Sequence, residues 1–256
     1  MHRFSFFVFC IGFSHLAFTQ NGLGDRLVVN NDTIWIRNYL SSFVEEHTDI
    51  FVDLSSECRR KCGWGGYINL WEIKSDSLYY LGRFCRTDSR CKAFGETPVF
   101  ASGFSDTIYA LTGQRLFTDG DWGPIYDYET AYSISNGMVG RSQVLDNTAT
   151  FKSEYFRSVD LLHEFFRERM QQTSFNFATI AEDELKRTII IRFDILDETG
   201  KAKNITTIGR AGAPILNELA AQMVRDLPSW AVFYQRGEVQ KRGWLIPVNF
   251  YRLLNP

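Results

Sequence analysis

The chain has 256 residues, of which 45% are hydrophobic, 15% aromatic and 23% charged, and its formal net charge is −2. This composition supports a packed core and excludes a chain that is disordered throughout. The near balance of charge shows no bias towards nucleic acid or an anionic membrane, so neither is expected as a partner. The length allows one large domain or two smaller ones.

Residues 1–19 have the pattern of a cleaved export signal. Arg3 precedes the apolar run FSFFVFCIGFSHLAF, which polar residues interrupt and which is shorter than the ~20 residues of a spanning helix. Ala17 and Thr19 suit the −3 and −1 positions of a cleavage site, so the mature chain is expected to begin near Gln20. We therefore expect a periplasmic or secreted protein with no membrane span after cleavage, and an uncleaved anchor is the alternative.

Four cysteines remain once such a signal is removed, namely Cys58, Cys62, Cys85 and Cys91. An even number in an oxidising compartment predicts two disulfides, and the sequence does not choose among the three connectivities. The pairs CRRKC and CRTDSRC would also allow zinc, although their spacings are looser than usual, and free thiols are the remaining alternative. No metal site and no cofactor are predicted.

The segment 20–150 is predicted to be an antiparallel β-rich domain with one short helix. Residues 25–36 form two short strands around an Asn-Asn-Asp turn, and RNYLSSFVEEH has the apolar spacing of the helix. YINLWEI and DSLYYLGRF are expected to pair through a turn at 74–76. Further turns are predicted at 103–106, at 112–114 and at Asn136-Gly137, a strong hairpin signal.

The segment 151–175 changes to a helical period. Its apolar residues recur at three- and four-residue steps and define one face of a linking amphipathic helix. That face comprises Tyr155, Phe156, Val159, Leu162, Phe166 and Met170.

The segment 176–256 is predicted to fold in the order strand, strand, helix, strand, which makes the whole chain α+β. RTIIIRFDIL and AKNITTI are the first two strands, joined by the turn DETGK. The helix APILNELAAQMVRDL has Pro214 in its first turn, where a backbone donor would be unpaired anyway. The last strand is expected to cover residues 244–253.

The stretch RDLPSW marks the end of that helix. Pro228 cannot continue a helix and biases Leu227 away from helical angles. Trp230 then follows just beyond the helix end, where a large ring can cover the open end of a small core. We expect these three residues to be structural, and a direct ligand contact by Trp230 is the alternative.

The run from Ile189 to Leu253 contains, in order, Leu227, Pro228, Trp230, Gly237, Ile246, Pro247, Val248 and Phe250. At these positions it resembles the C-terminal domain of TonB-type envelope proteins. The resemblance implies the fold and the binding of an extended peptide. Two departures limit it: alanine follows Trp230 where the family often has proline, and no Pro-rich spacer precedes the domain. Proton-motive coupling is therefore not implied.

The N-terminal half is similar to a domain of exported proteins of Gram-negative bacteria. The similar pieces are GGYINLWEIKSDSLYYLG, PVFASGFSDTIYALTGQRL and YDYETAYSISNGMV. This similarity implies a fold and no activity.

The function expected from these features is that of an exported, non-enzymatic envelope protein that binds an envelope protein or an extended peptide at a sheet edge. In the last strand, Leu245, Asn249 and Tyr251 would flank the added peptide, and the alternate residues would pack on the helix. An enzyme with a site in the β-rich domain and a TonB-type energy transducer are the alternatives.

Signals for other chemistry are weaker. The carboxylates between Asp119 and Glu129 could offer oxygens to calcium, but the full loop pattern is absent. His47 and His163 stand near no nucleophile motif, so a hydrolytic triad is not expected.

Overall fold

The computed structural model describes residues 24–38, 40, 66–86, 92–119, 123–208 and 213–255. The fold is α+β, with about 22% helix and 49% strand among these residues. It divides into two compact units. The N-terminal unit contains the described residues through Thr148 together with Tyr234–Glu238, and the C-terminal unit contains Ala149–Phe233 and Val239–Pro256. The predicted signal and most of the predicted helix at 37–47 lie outside the described residues.

The N-terminal unit is a sheet that closes on itself. The strands are β1 Arg26–Val29, β2 Asp32–Ile36, β3 Tyr67–Lys74, β4 Ser77–Cys85, β5 Lys92–Phe100, β6 Asp106–Asp119, β7 Gly123–Ser135 and β8 Met138–Asp146. They pair in the order β3-β1-β2-β6-β7-β8-β4-β5, and β3 also pairs with β4.

Three tight turns set the hairpin registers of this unit. Both central residues have positive φ in the turns at 30–31, 75–76 and 136–137, which is the geometry of two-residue hairpins. These predicted turns are confirmed. The prediction of a purely antiparallel unit is wrong at one pair, because β1 runs parallel to β3. Parallel strands are joined by a long connection, whereas the hairpin turns in the sequence predict only antiparallel neighbours.

The turn predicted at 112–114 is also wrong. Strand β6 continues through Gly113, whose φ of 81° marks a bulge where the register with β7 shifts. The Gln114 N–H donates to the Asp127 carboxylate at 2.8 Å, and a Cβ at position 113 would lie 2.9 Å from the Asp127 Cβ. Gly113 is therefore needed because β6 and β7 approach each other closely at this position.

Apolar side chains pack inside the closed sheet. The largest fully buried ring is that of Trp71, which meets Tyr80 edge-on at 5.1 Å between ring centroids. The buried set is Leu27, Ile36, Leu40, Trp71, Leu78, Tyr80, Ala101, Phe104, Ile108, Ala110 and Ile134.

The C-terminal unit combines helices with a three-stranded sheet in the order β11-β10-β15. Its helices are α1 Glu154–Arg157, α2 Val159–Gln172, α3 Glu182–Leu185, α4 Pro214–Arg225 and α5 Phe250–Leu254. Its strands are β9 Phe151–Lys152, β10 Ile189–Ile195, β11 Lys203–Thr207, β12 Ala231–Val232 and β15 Arg242–Val248. A further pair, β13 Tyr234–Gln235 with β14 Glu238–Val239, belongs to the N-terminal unit except for Val239.

The segment 151–175 is not one continuous helix as predicted. It begins with β9 and then breaks between α1 and α2, because Ser153 and Ser158 each accept a backbone N–H as a helix N-cap. Val159, assigned to the buried face, is 56% exposed. The face that packs comprises Leu162, Phe165, Phe166 and Met170.

Helix α4 covers one face of the three-stranded sheet. Pro214 lies in its first turn, as predicted, and the helix packs on β10 and β11. Its buried residues are Leu216, Ala220, Met223 and Val224, whereas Ile215 and Leu219 are half-buried.

The last strand is shorter than predicted. Strand β15 ends at Val248, and residues 250–254 form α5. The Asn249 side chain accepts the Arg252 N–H and so caps the helix. Alternating apolar residues are compatible with a strand and with a short helix, and the cap decides between them.

Candidate functional site

Strand β15 lies at an edge of the three-stranded sheet. It pairs with β10 in seven consecutive antiparallel positions, from Ile189 opposite Val248 to Ile195 opposite Arg242, without a register shift. No other strand pairs with it in the part of the chain that the structure describes. The expectation that the last strand is an edge strand is therefore met for residues 242–248.

The ladder fixes which backbone groups of β15 point away from β10. The Ile190 carbonyl accepts the Ile208 N–H at 2.8 Å, so the backbone of Ile190 is directed towards β11. Its cross-strand neighbour Pro247 is consequently in a non-hydrogen-bonded pair. By alternation, the N–H and C=O groups of Gly243 and Leu245 also point outward, together with the Pro247 carbonyl.

The residues that carry the outward groups are exposed or half-buried. Gly243 and Pro247 are exposed and Leu245 is half-buried, whereas Ile246 and Val248 face the core. Pro247 offers no donor, which is tolerated at an edge because no ladder bond is lost. The edge therefore presents two donors and three acceptors to an added strand.

The opposite edge of the sheet is less suitable for pairing. Strand β11 shifts register against β10 between Arg192 and Asp194, and Asn204 has a φ of 49°. Lys203 adds an exposed charge at the same place. Bulges and lysines are devices that protect an edge from pairing, so β15 is the more regular edge of the two.

An aromatic cluster lies beneath β15. Trp230 is 8% exposed and packs edge-on against Phe156 and Phe193, with ring centroids 5.3 and 5.8 Å away. Trp244 of β15 meets Phe156 at 5.3 Å and Phe233 at 5.9 Å. The strand is thus fixed from its core side by packed rings.

The backbone of Trp230 is fixed by two hydrogen bonds. Its N–H donates to the Gly200 carbonyl at 2.7 Å, and its carbonyl accepts the Ser153 N–H at 2.8 Å. Leu227 is 3% exposed and Pro228 is exposed just after α4. Among the described residues, the indole N–H groups of Trp230 and Trp244 are buried without an acceptor.

Of the three residues predicted to flank a peptide, only Leu245 lies on the edge strand. Asn249 caps α5, and its amide donates to the Lys186 carbonyl at 2.8 Å. Tyr251 lies within α5, where its ring is 5.0 Å from the Lys186 ammonium. Their assignment to the strand is wrong, because the chain turns into a helix after Val248.

In the N-terminal unit, Glu129 is fully buried and its carboxylate is occupied by protein donors. It accepts from the Arg37 guanidinium at 3.0 and 3.3 Å and from the Asn147 amide at 3.2 Å. The Arg236 N–H donates to it as well, at 3.3 Å. The Glu129 carboxylate is therefore committed to an ion pair and to hydrogen bonds within the protein.

Asp25 is a second fully buried carboxylate in this unit. It accepts from the backbone N–H groups of Leu40 and Asn69, from the Asn69 amide and from the Trp71 indole. Burial raises the pKa of Asp25, against the effect of these hydrogen bonds. The group fastens the start of β1 to β3 and has no exposed surface for a substrate.

No local pattern in the sequence indicates either carboxylate network. Their partners lie far apart along the chain, as with Arg37 and Glu129, and no local motif marks them.

The predicted cysteine positions are only partly described: Cys85 is disulfide-bonded and buried, while Cys58, Cys62 and Cys91 lie outside the described residues. The connectivity stays a prediction.

Comparison of the chain with protein-family models, with curated proteins and with solved structures finds no match. Among the described residues, no helix is long and apolar enough to cross a membrane, and no group of three His, Cys, Asp or Glu side chains is arranged to hold a metal ion.

Proposed function

We propose that this chain is an exported cell-envelope protein. It binds an extended segment of a partner protein, which pairs as an added strand with the edge strand β15. The observation that carries the proposal is the regular outer edge of this strand, with the backbone groups of Gly243 and Leu245 directed outward. The resemblance of residues 189–253 to the TonB C-terminal domain supports the same mode of binding.

The energetics favour a modest affinity from the backbone alone. Two donors and three acceptors give five hydrogen bonds, each contributing about 0.5–1.5 kcal/mol net. Association costs several kcal/mol of translational and rotational freedom, which offsets much of this gain. Selectivity therefore has to come from side chains that alternate along the added strand.

A substitution at position 245 separates backbone pairing from side-chain contact. Leu245→Pro removes an outward N–H but no ladder bond to β10, and Leu245→Ala removes the side chain while keeping that N–H. We expect the proline variant to bind a partner segment more weakly than the alanine variant, with both variants folded. Equal binding by the two would exclude main-chain pairing at this edge.

A photo-crosslinking residue in the full chain identifies the partner segment. Position 247 is exposed on the proposed edge, and position 203 on β11 is the matched control at the other edge. We expect a crosslink to an extended segment from position 247 only. Amide exchange should then slow at Gly243 and Leu245 when that segment is added. Equal crosslinking from 203 and 247, or slowed exchange confined to the N-terminal unit, would contradict the proposal.

A further inference from the structure

The face of the three-stranded sheet that α4 does not cover carries its side chains in rows across the strands. We call this the open face and define it by Ile190, Arg192, Asp194, Lys203, Thr206, Ile208, Gly243, Leu245 and Pro247. The registers place Pro247, Ile190 and Ile208 in one row and Leu245, Arg192 and Thr206 in the next. The third row contains Gly243, Asp194 and Lys203.

The first row is apolar and accessible. Ile208 is 56% exposed, Pro247 is exposed and Ile190 between them is half-buried. A strand added beside β15 would place one of its own side chains at the end of this row, next to Pro247. Because contact there removes apolar surface from water, an aliphatic side chain is favoured at that position.

The second row contains an exposed cation. Arg192 is exposed, and among the described residues no carboxylate pairs with it. Asp194 on the same strand does have partners, because its carboxylate accepts a hydrogen bond from the Asn204 amide at 2.9 Å and it stands opposite Lys203. The net charge offered by the middle row of the open face is therefore positive.

The guanidinium of Arg192 can reach an added strand. Arg192 lies directly across from Leu245, and the added residue opposite Leu245 would be about 10 Å from β10, two strand spacings away. An arginine can lay its stem over an apolar neighbour such as Leu245 while its charged group extends beyond it. A glutamate on the added strand closes the remaining distance better than the shorter aspartate.

We propose that Arg192 selects the partner segment, and that this segment carries a glutamate two residues from an aliphatic residue on the same side of the strand. The glutamate lies opposite Leu245 and pairs with Arg192, and the aliphatic side chain lies beside Pro247. This inference rests on the proposed edge pairing, and it adds the chemical class of the partner and the residue that reads it.

The test uses the full chain and synthetic labelled peptides whose binding is followed by fluorescence anisotropy. The first probe is Lys-Thr-Glu-Ser-Val-Thr-Lys, and the second, Lys-Thr-Val-Ser-Glu-Thr-Lys, reverses the order for the opposite strand direction. In each control peptide the glutamate is replaced by glutamine. We expect the glutamate form of one order to bind about two- to five-fold more tightly than its glutamine form, the range of an exposed ion pair. Added salt should reduce this ratio.

Protein variants assign the effect to Arg192. In Arg192→Gln the preference for glutamate should disappear, and in Arg192→Glu a lysine in place of the peptide glutamate should bind better than glutamate. Arg157→Gln, which also removes an exposed arginine from the C-terminal unit, is the control and should keep the preference.

The two proposals fail in different ways. If the glutamate and glutamine peptides bind equally to the unchanged chain, and Leu245→Pro weakens both, the edge binds peptides but Arg192 does not select them. If Leu245→Pro and Leu245→Ala bind every peptide equally, or no peptide binds, edge pairing itself is overturned and the selection by Arg192 with it.

Discussion

The ion pair between Arg37 and Glu129 offers a sharp test of how the N-terminal unit is stabilised. Glu129 is fully buried and the Arg37 side chain is 9% exposed. The perturbation is Glu129→Gln, which keeps the shape of the side chain and one acceptor oxygen. The new amide nitrogen would face a donor of Arg37, and the guanidinium would stay buried without its counter-ion.

The expected cost follows from the number of donors involved. Three donors converge on Oε1, from Arg37 at 3.0 Å, Asn147 at 3.2 Å and the Arg236 backbone at 3.3 Å, and the Arg37 Nε donates to Oε2 at 3.3 Å. Removing one partner of a buried pair costs about 3–5 kcal/mol, because an uncompensated charge is left behind. We expect a loss of that size in the free energy of unfolding of this unit.

A double variant separates the pair from its surroundings. Arg37→Met with Glu129→Gln removes the buried cation, while the glutamine oxygen still accepts from Asn147 and Arg236. The double variant should therefore be more stable than Glu129→Gln alone, with a coupling energy of about 2 kcal/mol or more. Glu72→Gln on β3, a half-buried carboxylate, is the control and should change stability by less than about 0.5 kcal/mol.

Urea unfolding followed by hydrogen-exchange mass spectrometry is the suitable assay, because peptides from β6 and β7 report on this unit alone. A loss below about 1 kcal/mol for Glu129→Gln, or strictly additive single and double variants, would refute the reasoning.

Three further predictions concern other parts of the chain. Trp230→Ala should destabilise the C-terminal unit by about 3–5 kcal/mol in urea unfolding, and Trp230→Phe by much less, because phenylalanine keeps ring contacts and removes a buried unpaired N–H; equal losses would contradict this. Burial, aided by Arg167, lowers the pKa of His163, so its contribution to stability is present above the unfolded pKa of about 6.5 and is lost as the pH falls through the folded pKa. The difference in unfolding free energy between the unchanged chain and His163→Gln should therefore shrink as the pH falls below about 6.5, and a pH-independent difference would count against it. Cys85→Ser should cost about 2–5 kcal/mol and expose one newly alkylatable thiol under non-reducing, denaturing conditions, whereas alkylation of Cys85 in the unchanged chain would contradict its disulfide.

Local signals in the sequence determined the paired strands and the turns between them. Asn136-Gly137 specifies a two-residue hairpin because both residues tolerate positive φ, and Pro214 marks the first turn of α4 because it lacks a donor that would be unpaired there. Such preferences act within a few residues, so they are legible without the rest of the chain. The same locality explains the errors at Gly113 and after Val248, where a bulge and a helix cap replace a turn and a strand.

Tertiary structure alone decided the features that join distant residues. The parallel pairing of β1 with β3, the burial of Asp25 and the pairing of Arg37 with Glu129 leave no local pattern, because each depends on which strands become neighbours. The proposed binding edge combines both kinds of information. Alternation within β15 is written in its sequence, but the direction of its free N–H and C=O groups depends on the hydrogen bond between Ile208 and Ile190, two strands away.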